Sequence, residues 1–420
     1  MNSVEKIRRA LTAIATAHQG ASFKNIIESD RECFRGLHVT YATRATTLDI
    51  QNIQLDKIEN ECPLLKSFFD GTGLLFYTDE IYQQSLNGKA PIRIDFSISL
   101  DKNVTDAIRL FVEGKQPSQP QNLYKLLHLA CGRGEKSFNF DYFAYLSEEF
   151  EHFSVEGNNR PIQTLRALKK LDHFAPGALD ASPGKPLFTV SEDEIDLIVQ
   201  DTLKTAVFAE PMRYLQTRRL ATYLLLLKAA LLNWSGQHRE PVQALEELVT
   251  FSLETLGKFP KAEIYFAWKL LGGAGEVPLF FTPVTQPTMK SLERLRSMSW
   301  DLTLFRMAEL LSATPRTIGS GHADFFVPFV ASYDGKFREM VDACPLQAIV
   351  IDYTFKAVNL VFRDELPFQR DLSTASEHVM RKLNDHQASA RRLHSDLDHE
   401  QLTREVRTLE QEVFAHLATR

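Results

Sequence analysis

The stretch 97–111, Ser-Ile-Ser-Leu-Asp-Lys-Asn-Val-Thr-Asp-Ala-Ile-Arg-Leu-Phe, constrains what this chain can fold into more than any other. Residues 92–100 form an apolar-leaning run of strand type that breaks at Asp101 and Asn103, and apolar residues return at helical spacing as Val104, Ala107, Ile108 and Phe111. An acid is thus placed where a strand ends and a helix begins. In open α/β sheets, ligands bind in the crevice outside the carboxyl ends of the strands, so a carboxylate there is a candidate metal ligand or acid–base group. The bland role for the same residue is an N-cap, in which Asp satisfies orphan backbone amides and does nothing else.

The same pattern recurs further along. Residues 323–340 again read as a strand that ends on an acid, Asp334, and runs into a helix. Asp301 falls in the first turn of a predicted helix over 299–311, where the helix dipole favours negative charge. Between these acids, residues 138–150 carry aromatics at helical spacing and leave Glu148 or Glu149 at the edge of the core. Parallel strands joined by helices bring such strand ends to one edge of a sheet. Clustered carboxylates repel one another unless a cation sits among them, and hard oxygen ligands suit Mg²⁺ or Mn²⁺. Two such ions about 4 Å apart activate water and stabilise the leaving oxygen in phosphodiester cleavage.

The rest of the chain frames these pieces. An amphipathic helix over 3–18 precedes short strands at 38–41 and 73–77 and a helical piece around 55–69, so residues 1–90 read as an α+β N-terminal region. Residues 158–186 are rich in Pro and Gly and mark a boundary. Helices are then predicted over 192–208, 211–234, 241–256 (stopped by Gly257) and 261–271, and one more strand lies within 346–355. From about 374 the tail carries apolar residues at near-heptad spacing, Val379 to Leu417, which suits either a helix packed on its own domain or a coiled-coil arm joining two chains as a homo-oligomer.

Composition excludes some classes. A net charge of −6 argues against a broad nucleic-acid-coating surface but leaves room for a local basic cleft. Cys33, Cys62, Cys131 and Cys344 have neither a CxxC pair nor metal-ligand spacing, so reduced thiols in a cytoplasmic protein are the simple reading. The longest apolar run, 220–234, contains Lys228 and is too short to span a bilayer, so no membrane partner is expected.

The motif set resembles one family. Leu100-Asp101-Lys102-Asn103-Val104 looks like the opening acid-x-Asn motif of PIN domains, Asp301 to Ala308 looks like their helix-borne Asp, and Ser332-Tyr333-Asp334 is similar to their late (Thr/Ser)-x-Asp motif. Lys102 stands where that family usually has Thr, and Ser332 where Thr is commoner. The resemblance implies an α/β fold: a PIN-like (Rossmann-like) three-layer α/β/α core with a large helical insertion and a C-terminal helical arm. The core would then comprise 91–157 and 291–365, the insertion 158–290, and the coiled-coil-like arm 366–420. It further implies a Mg²⁺- or Mn²⁺-dependent nuclease acting on RNA. Asp101, Asp301 and Asp334, with Glu148 or failing it Glu149 or Glu263, would be both the metal ligands and the catalytic set. Asn103, Lys336, Arg218 and Arg219 are weaker candidates for substrate contact. A regulated nuclease of this class can serve as a toxin or an antiviral defence effector, a reading from class alone.

Other signals point to structure. Residues 131–137 share glycines and a Lys-Ser pair with phosphate loops but lack the GxxxxGK[ST] spacing, so they read as a surface turn. Arg213, Arg218 and Arg219 form the best basic cluster, either lining an RNA path or solvating a helix face. No HExxH motif is present, and Trp234, Trp268 and Trp300 read as core. The competing function class is a non-catalytic interaction or regulatory protein, in which the acids are helix caps and the 190–271 helices and tail form the binding surface.

Overall fold

A computed structural model of the chain describes residues 3–17, 23–44, 53–88, 92–131, 138–175, 186–207, 210–236, 240–313, 317–318, 321–354, 357–374, 379, 381 and 397–418. The fold is mixed α/β, and the chain divides into two compact units. The first comprises Met1–Arg213, Met307–Gly335 and Leu346–Val361; the second comprises Tyr214–Arg306, Lys336–Pro345 and Phe362–Arg420.

Among the described residues the strands lie in the first unit, save Phe362 at the end of β11 (Ala357–Phe362). They are β1 (His38–Thr43), β2 (Ile53–Gln54), β3 (Leu65–Ser67), β4 (Gly73–Tyr77), β5 (Ile94–Leu100), β6 (Phe138–Asp141), β7 (Thr317–Ile318), β8 (Gly321–His322), β9 (Phe325–Ala331), β10 (Leu346–Asp352) and β11 (Ala357–Phe362). One sheet runs β11-β10-β1-β4-β2, with β1 antiparallel to both β10 and β4. Its core is built with α1 (Ser3–Thr16), α2 (Phe23–Ser29) and α3 (Arg31–Phe34), which bury Ile14, Phe23, Ile27 and Phe34 with Tyr41, Tyr77 and Val350 of the sheet. Phe23 stacks on Tyr41 at 4.7 Å.

The second sheet positions the acids. Its order is β3-β9-β5-β6, with β5 parallel to both β9 and β6 and β3 antiparallel at the edge. β9 is buried along its whole length, as expected of a strand covered on both faces. In β5, Phe96, Ile98 and Leu100 alternate with Asp95, Ser97 and Ser99, yet all three polar residues are buried and Phe96 is half-buried. After α4 (Leu55–Glu61) and α5 (Asp79–Leu86), the chain leaves β5 for β6 on one side through α6 (Lys102–Val112) and α7 (Pro120–Cys131), while β9, reached much later in the chain, occupies the other side. Neighbours reached in opposite directions make a topological switch point at the carboxyl ends of β5 and β9. The unit is completed by α8 (Phe143–Glu148), α9 (Arg160–Leu171), which packs on α6, and α10 (Glu192–Thr202), which packs on α9.

The second unit is helical. It holds α11 (Glu210–Ser235), α12 (Pro241–Leu256), α13 (Lys261–Leu270), most of α14 (Ser291–Ala313), α15 (Gly335–Ala343), α16 (Glu365–Ser373) and α17 (His399–Ala418). α11 is buried on all sides over Tyr223 to Leu227 and at Ala229 and Ala230, so its apolar density reflects a central position in this unit. α12 ends at Gly257, whose φ of +63° is the left-handed C-terminal cap that glycine adopts without strain. Trp268 leaves no room for a side chain at Gly273, where a Cβ would lie 2.0 Å from its ring.

Several sequence expectations need correction. The helical piece expected over 55–69 stops at Glu61, and Leu65–Ser67 is a strand paired with β9. The helix expected over 138–150 is split: Phe138–Asp141 is a parallel strand, and the helix begins only at Phe143. The boundary expected at 158–186 contains α9, with Pro161 in its first turn, and α9 and α10 belong to the first unit. The helical block therefore departs at 213/214, not at 158. The helix expected over 192–208 passes into a π-helical turn, Leu203–Val207. In the tail, α17 buries Leu402, Val406, Leu409 and Val413 within its own unit. There Tyr223 donates to Glu410 at 2.7 Å, Arg296 bonds the same oxygen at 2.7 Å, and Thr217 meets His399 at 3.1 Å. The heptad-like stripe is thus used inside the chain, against the expectation of an arm; residues 382–396 lie outside the described residues, as do 132–137 of the phosphate-loop-like turn.

Candidate functional site

Asp101 is the N-cap of α6: it has extended backbone angles and its Oδ1 accepts from the Lys102 amide at 2.7 Å. The other oxygen is held from two directions. Ser332 Oγ donates to Oδ2 at 2.6 Å, and Asn103 Nδ2 donates to it at 2.7 Å. The Asn103 carbonyl in turn accepts the Tyr333 amide at 3.1 Å, and the Ser332 hydroxyl accepts the Asp334 amide at 2.9 Å. A backbone bond from Asp101 to the Ala331 carbonyl, 3.1 Å, closes the web. The three residues of the acid-x-Asn motif and the three of the Ser-x-Asp motif therefore form one hydrogen-bonded unit across the ends of β5 and β9. The parallel register Leu100↔Ala331 brings them level.

Electrostatics set Asp101 apart from an ordinary cap. Burial raises its pKa; the bonds from Ser332, Lys102 and Asn103 oppose that rise and the Asp334 charge adds to it, with a net upward shift. All its hydrogen-bond donors are neutral. Glu148, at the last turn of α8, belongs to the same field. Its pKa is pushed up to about 7, first by burial and then by Asp101, Glu149 and Asp106, with the Lys102 charge working the other way. No hydrogen bond to its carboxylate is present among the described residues. Asp101 is thus within electrostatic reach of both Asp334, which is exposed, and Glu148.

The two glutamates proposed as alternatives differ. Glu149 is buried and its oxygens are committed, one to the Lys102 ammonium and the other to His152 Nδ1 at 3.2 Å. Glu263 lies in the second unit, fully buried and held bidentate by Arg306, with the nearer bond to Nε at 2.9 Å. Arg218 approaches it at 3.8 Å. Burial pushes the Glu263 pKa up, but Arg306 and Arg218 outweigh it and the net direction is down. Its charge is already answered inside the helical unit, so Glu263 is a structural acid.

The remaining candidates are placed elsewhere. Asp301 is mid-helix, since α14 begins at Ser291, and it belongs to the second unit; the first-turn dipole argument does not apply to it. Lys336 is exposed in the first turn of α15, also in the second unit. Arg218 lies over the Tyr214 ring and beside Glu263, and Arg219 lies over the Trp300 ring at 4.4 Å, so both guanidinium groups serve internal contacts of that unit instead of an open path. Trp234 and Trp268 are core, while Trp300 is half-buried beneath Arg219.

Sequence reasoning missed Asp141. It closes β6 beside Ser99 of β5, and its Oδ1 accepts the Phe143 amide at 2.7 Å, which starts α8 and so carries Glu148 to the site. The strand–acid–helix pattern that identified Asp101 is present there too, in a strand of four residues.

As arranged, no three or more His, Cys, Asp or Glu side chains among the described residues are grouped to hold a metal ion. The donors at the strand ends are all oxygens, which suits a hard divalent cation in kind. Mg²⁺ needs only one or two protein carboxylates, because it keeps several waters and takes further ligands from substrate phosphates. Two carboxylates, Asp101 and Asp334, stand at the ends of β5 and β9. Among the described residues no helix is long and apolar enough to cross a membrane. Compared with family models, with curated proteins and with solved structures, the chain shows no match.

Proposed function

We propose that this chain is a metal-dependent nuclease with a PIN-like core, cleaving RNA at the carboxyl ends of β5 and β9. The observation that carries the reading is the joined pair of motifs: Ser332 and Asn103 tie the Asp101 carboxylate to the Tyr333–Asp334 turn at a topological switch point, and the half-buried Asp101 has only neutral hydrogen-bond donors. A bound Mg²⁺ or Mn²⁺ would supply charge for the phosphate oxygens and a more acidic water.

Each side chain has a distinct part in this reading. Asp101 and Asp334 hold the ion, and Ser332 and Asn103 keep the Asp101 carboxylate in one orientation. Glu148, with a pKa near 7, is suited to take a proton from the attacking water at neutral pH and return it to the leaving oxygen. Placement in the cytoplasm fits the reduced, buried thiols Cys33, Cys62 and Cys344.

The test is Mn²⁺-dependent cleavage of single-stranded RNA by the full chain, with DNA as the second substrate. Asp101→Asn and Asp334→Asn are each expected to lose at least about 100-fold in rate. Equal rates for wild type and Asp334→Asn would sink the assignment and leave Asp101 as a helix cap.

A further inference from the structure

Lys102 is the residue at which the chain departs from the PIN pattern, and the structure shows where its charge goes. It stands immediately after Asp101, but its ammonium turns to α8 and pairs with the buried Glu149 carboxylate. The second Glu149 oxygen is held by His152 at 3.2 Å. The Lys102 side chain nevertheless stays 40% exposed. One turn further along α6, Asp106 grips Arg160 at the head of α9 by two bonds, 2.5 and 3.3 Å, while the Arg160 side chain stays 60% exposed. Two cations are therefore pinned by acids beneath them and open to solvent above, beside the Asp101–Glu148 field.

Pinned cations of this kind are prepared for an anion. A free surface lysine loses rotamer freedom when it binds, whereas Lys102 has given up most of that freedom to Glu149 already. An ammonium carries three donors and a guanidinium five, so each retains N–H groups after its ion pair. Lys269 of the second unit differs: it pairs with Asp364 and is itself buried.

We infer that Lys102 and Arg160 contact phosphates of the bound strand, with Glu149 as the positioning residue for Lys102. This rests on the nuclease reading above. Single-stranded RNA is the committed occupant, because its backbone presents phosphates in series to two acid-held cations beside the cleavage centre, Lys102 and, gripped by Asp106 one helical turn further along α6, Arg160.

The experiment is fluorescence anisotropy of a labelled oligouridylate against the full chain in EDTA over a range of NaCl concentrations, paired with Mn²⁺-dependent cleavage. Lys102→Met is expected to weaken binding several-fold and to reduce the slope of log K against log salt by about 0.7, and the double variant with Arg160→Met by about twice that. Lys102→Arg keeps the charge and should keep the slope, which separates lost charge from lost fold. Glu149→Gln should preserve the slope while lowering kcat several-fold, a split that a merely structural role would not produce. An unchanged slope for Lys102→Met in a chain that still cleaves RNA overturns this inference alone. Failure of the wild type to bind or cleave RNA overturns the nuclease reading and this inference with it.

Discussion

Acids shielded from water occur in both units of this molecule, but Asp101 and Glu148, both half-buried, are treated in the opposite way to the acids of the helical unit and to their own neighbour Glu149, which is paired with Lys102. In the helical unit Glu263 is clasped by Arg306 and Arg218, Glu365 is paired with Lys261 at 2.7 Å, and Asp364 with Lys269. In the first unit Asp101 receives only neutral donors, and Glu148 has a pKa raised to about 7. The net pKa direction is down for Glu263 and up for Asp101. A buried acid matched to a cation is part of the packing, because removing either partner strands a charge. A buried acid left with neutral donors is a standing cost to the fold, and such costs concentrate where chemistry is done.

That contrast can be broken by unfolding measurements on the full chain. The largest effect is expected from Glu263→Gln, which strands Arg306 in the helical interior and should cost about 3–5 kcal/mol in urea titrations. A loss below about 1 kcal/mol would show that the pair is not structural. Next comes Ser332→Ala, which removes the bond to Asp101 and the turn bond from Asp334; a loss of about 1–2 kcal/mol is expected, together with reduced cleavage.

Glu148→Gln should change stability with the opposite sign. Its folded pKa of about 7 lies above the ordinary 4.5, so the folded chain keeps a proton that the unfolded chain releases in that interval. Wild-type stability therefore falls as pH rises from about 4.5 to about 7, and the penalty is complete above that. Removing the carboxylate should stabilise the chain by about 1–2 kcal/mol at pH 8 and by nothing near pH 4, read from thermal melts at the two pH values. A pH-independent difference would mean that burial and the neighbouring acids do not hold the Glu148 carboxyl above its ordinary value. The smallest effect is expected from Asp334→Asn, at an exposed position, within about 0.5 kcal/mol of wild type while cleavage is lost. A large loss of stability there would make Asp334 a structural residue like Glu263.

The sequence made much of the first unit legible. The stretch 92–111 contained β5, its acid and α6, and 323–340 contained β9, Asp334 and α15, because burial of one face imposes a period that composition records. The strand β6 was hidden: its four residues carry aromatics whose spacing also suits a helix, and only pairing with β5 decides between them. Asp301 was misplaced because Ser299 and Trp300 resemble a helix start. The true start lies at Ser291, whose hydroxyl accepts the Thr288 amide at 2.9 Å. The tail's stripe was read correctly as apolar, but a stripe does not say whether it is covered by its own chain or by another.

What the sequence determined by itself is local: which residues alternate, where a strand gives way to a helix, and which acids stand at those points. Tertiary structure decided the rest, because a charge's meaning depends on what folding places beside it. The parallel register of β5 and β9 joined Asp101 to Ser332 and Asp334, while Glu263 was carried to Arg306 in the other unit. Lys102, one residue from Asp101 in the chain, was turned to Glu149 by the packing of α6 beside α8. Burial and neighbouring charge, both long-range in sequence, separate a structural acid from a candidate catalytic one.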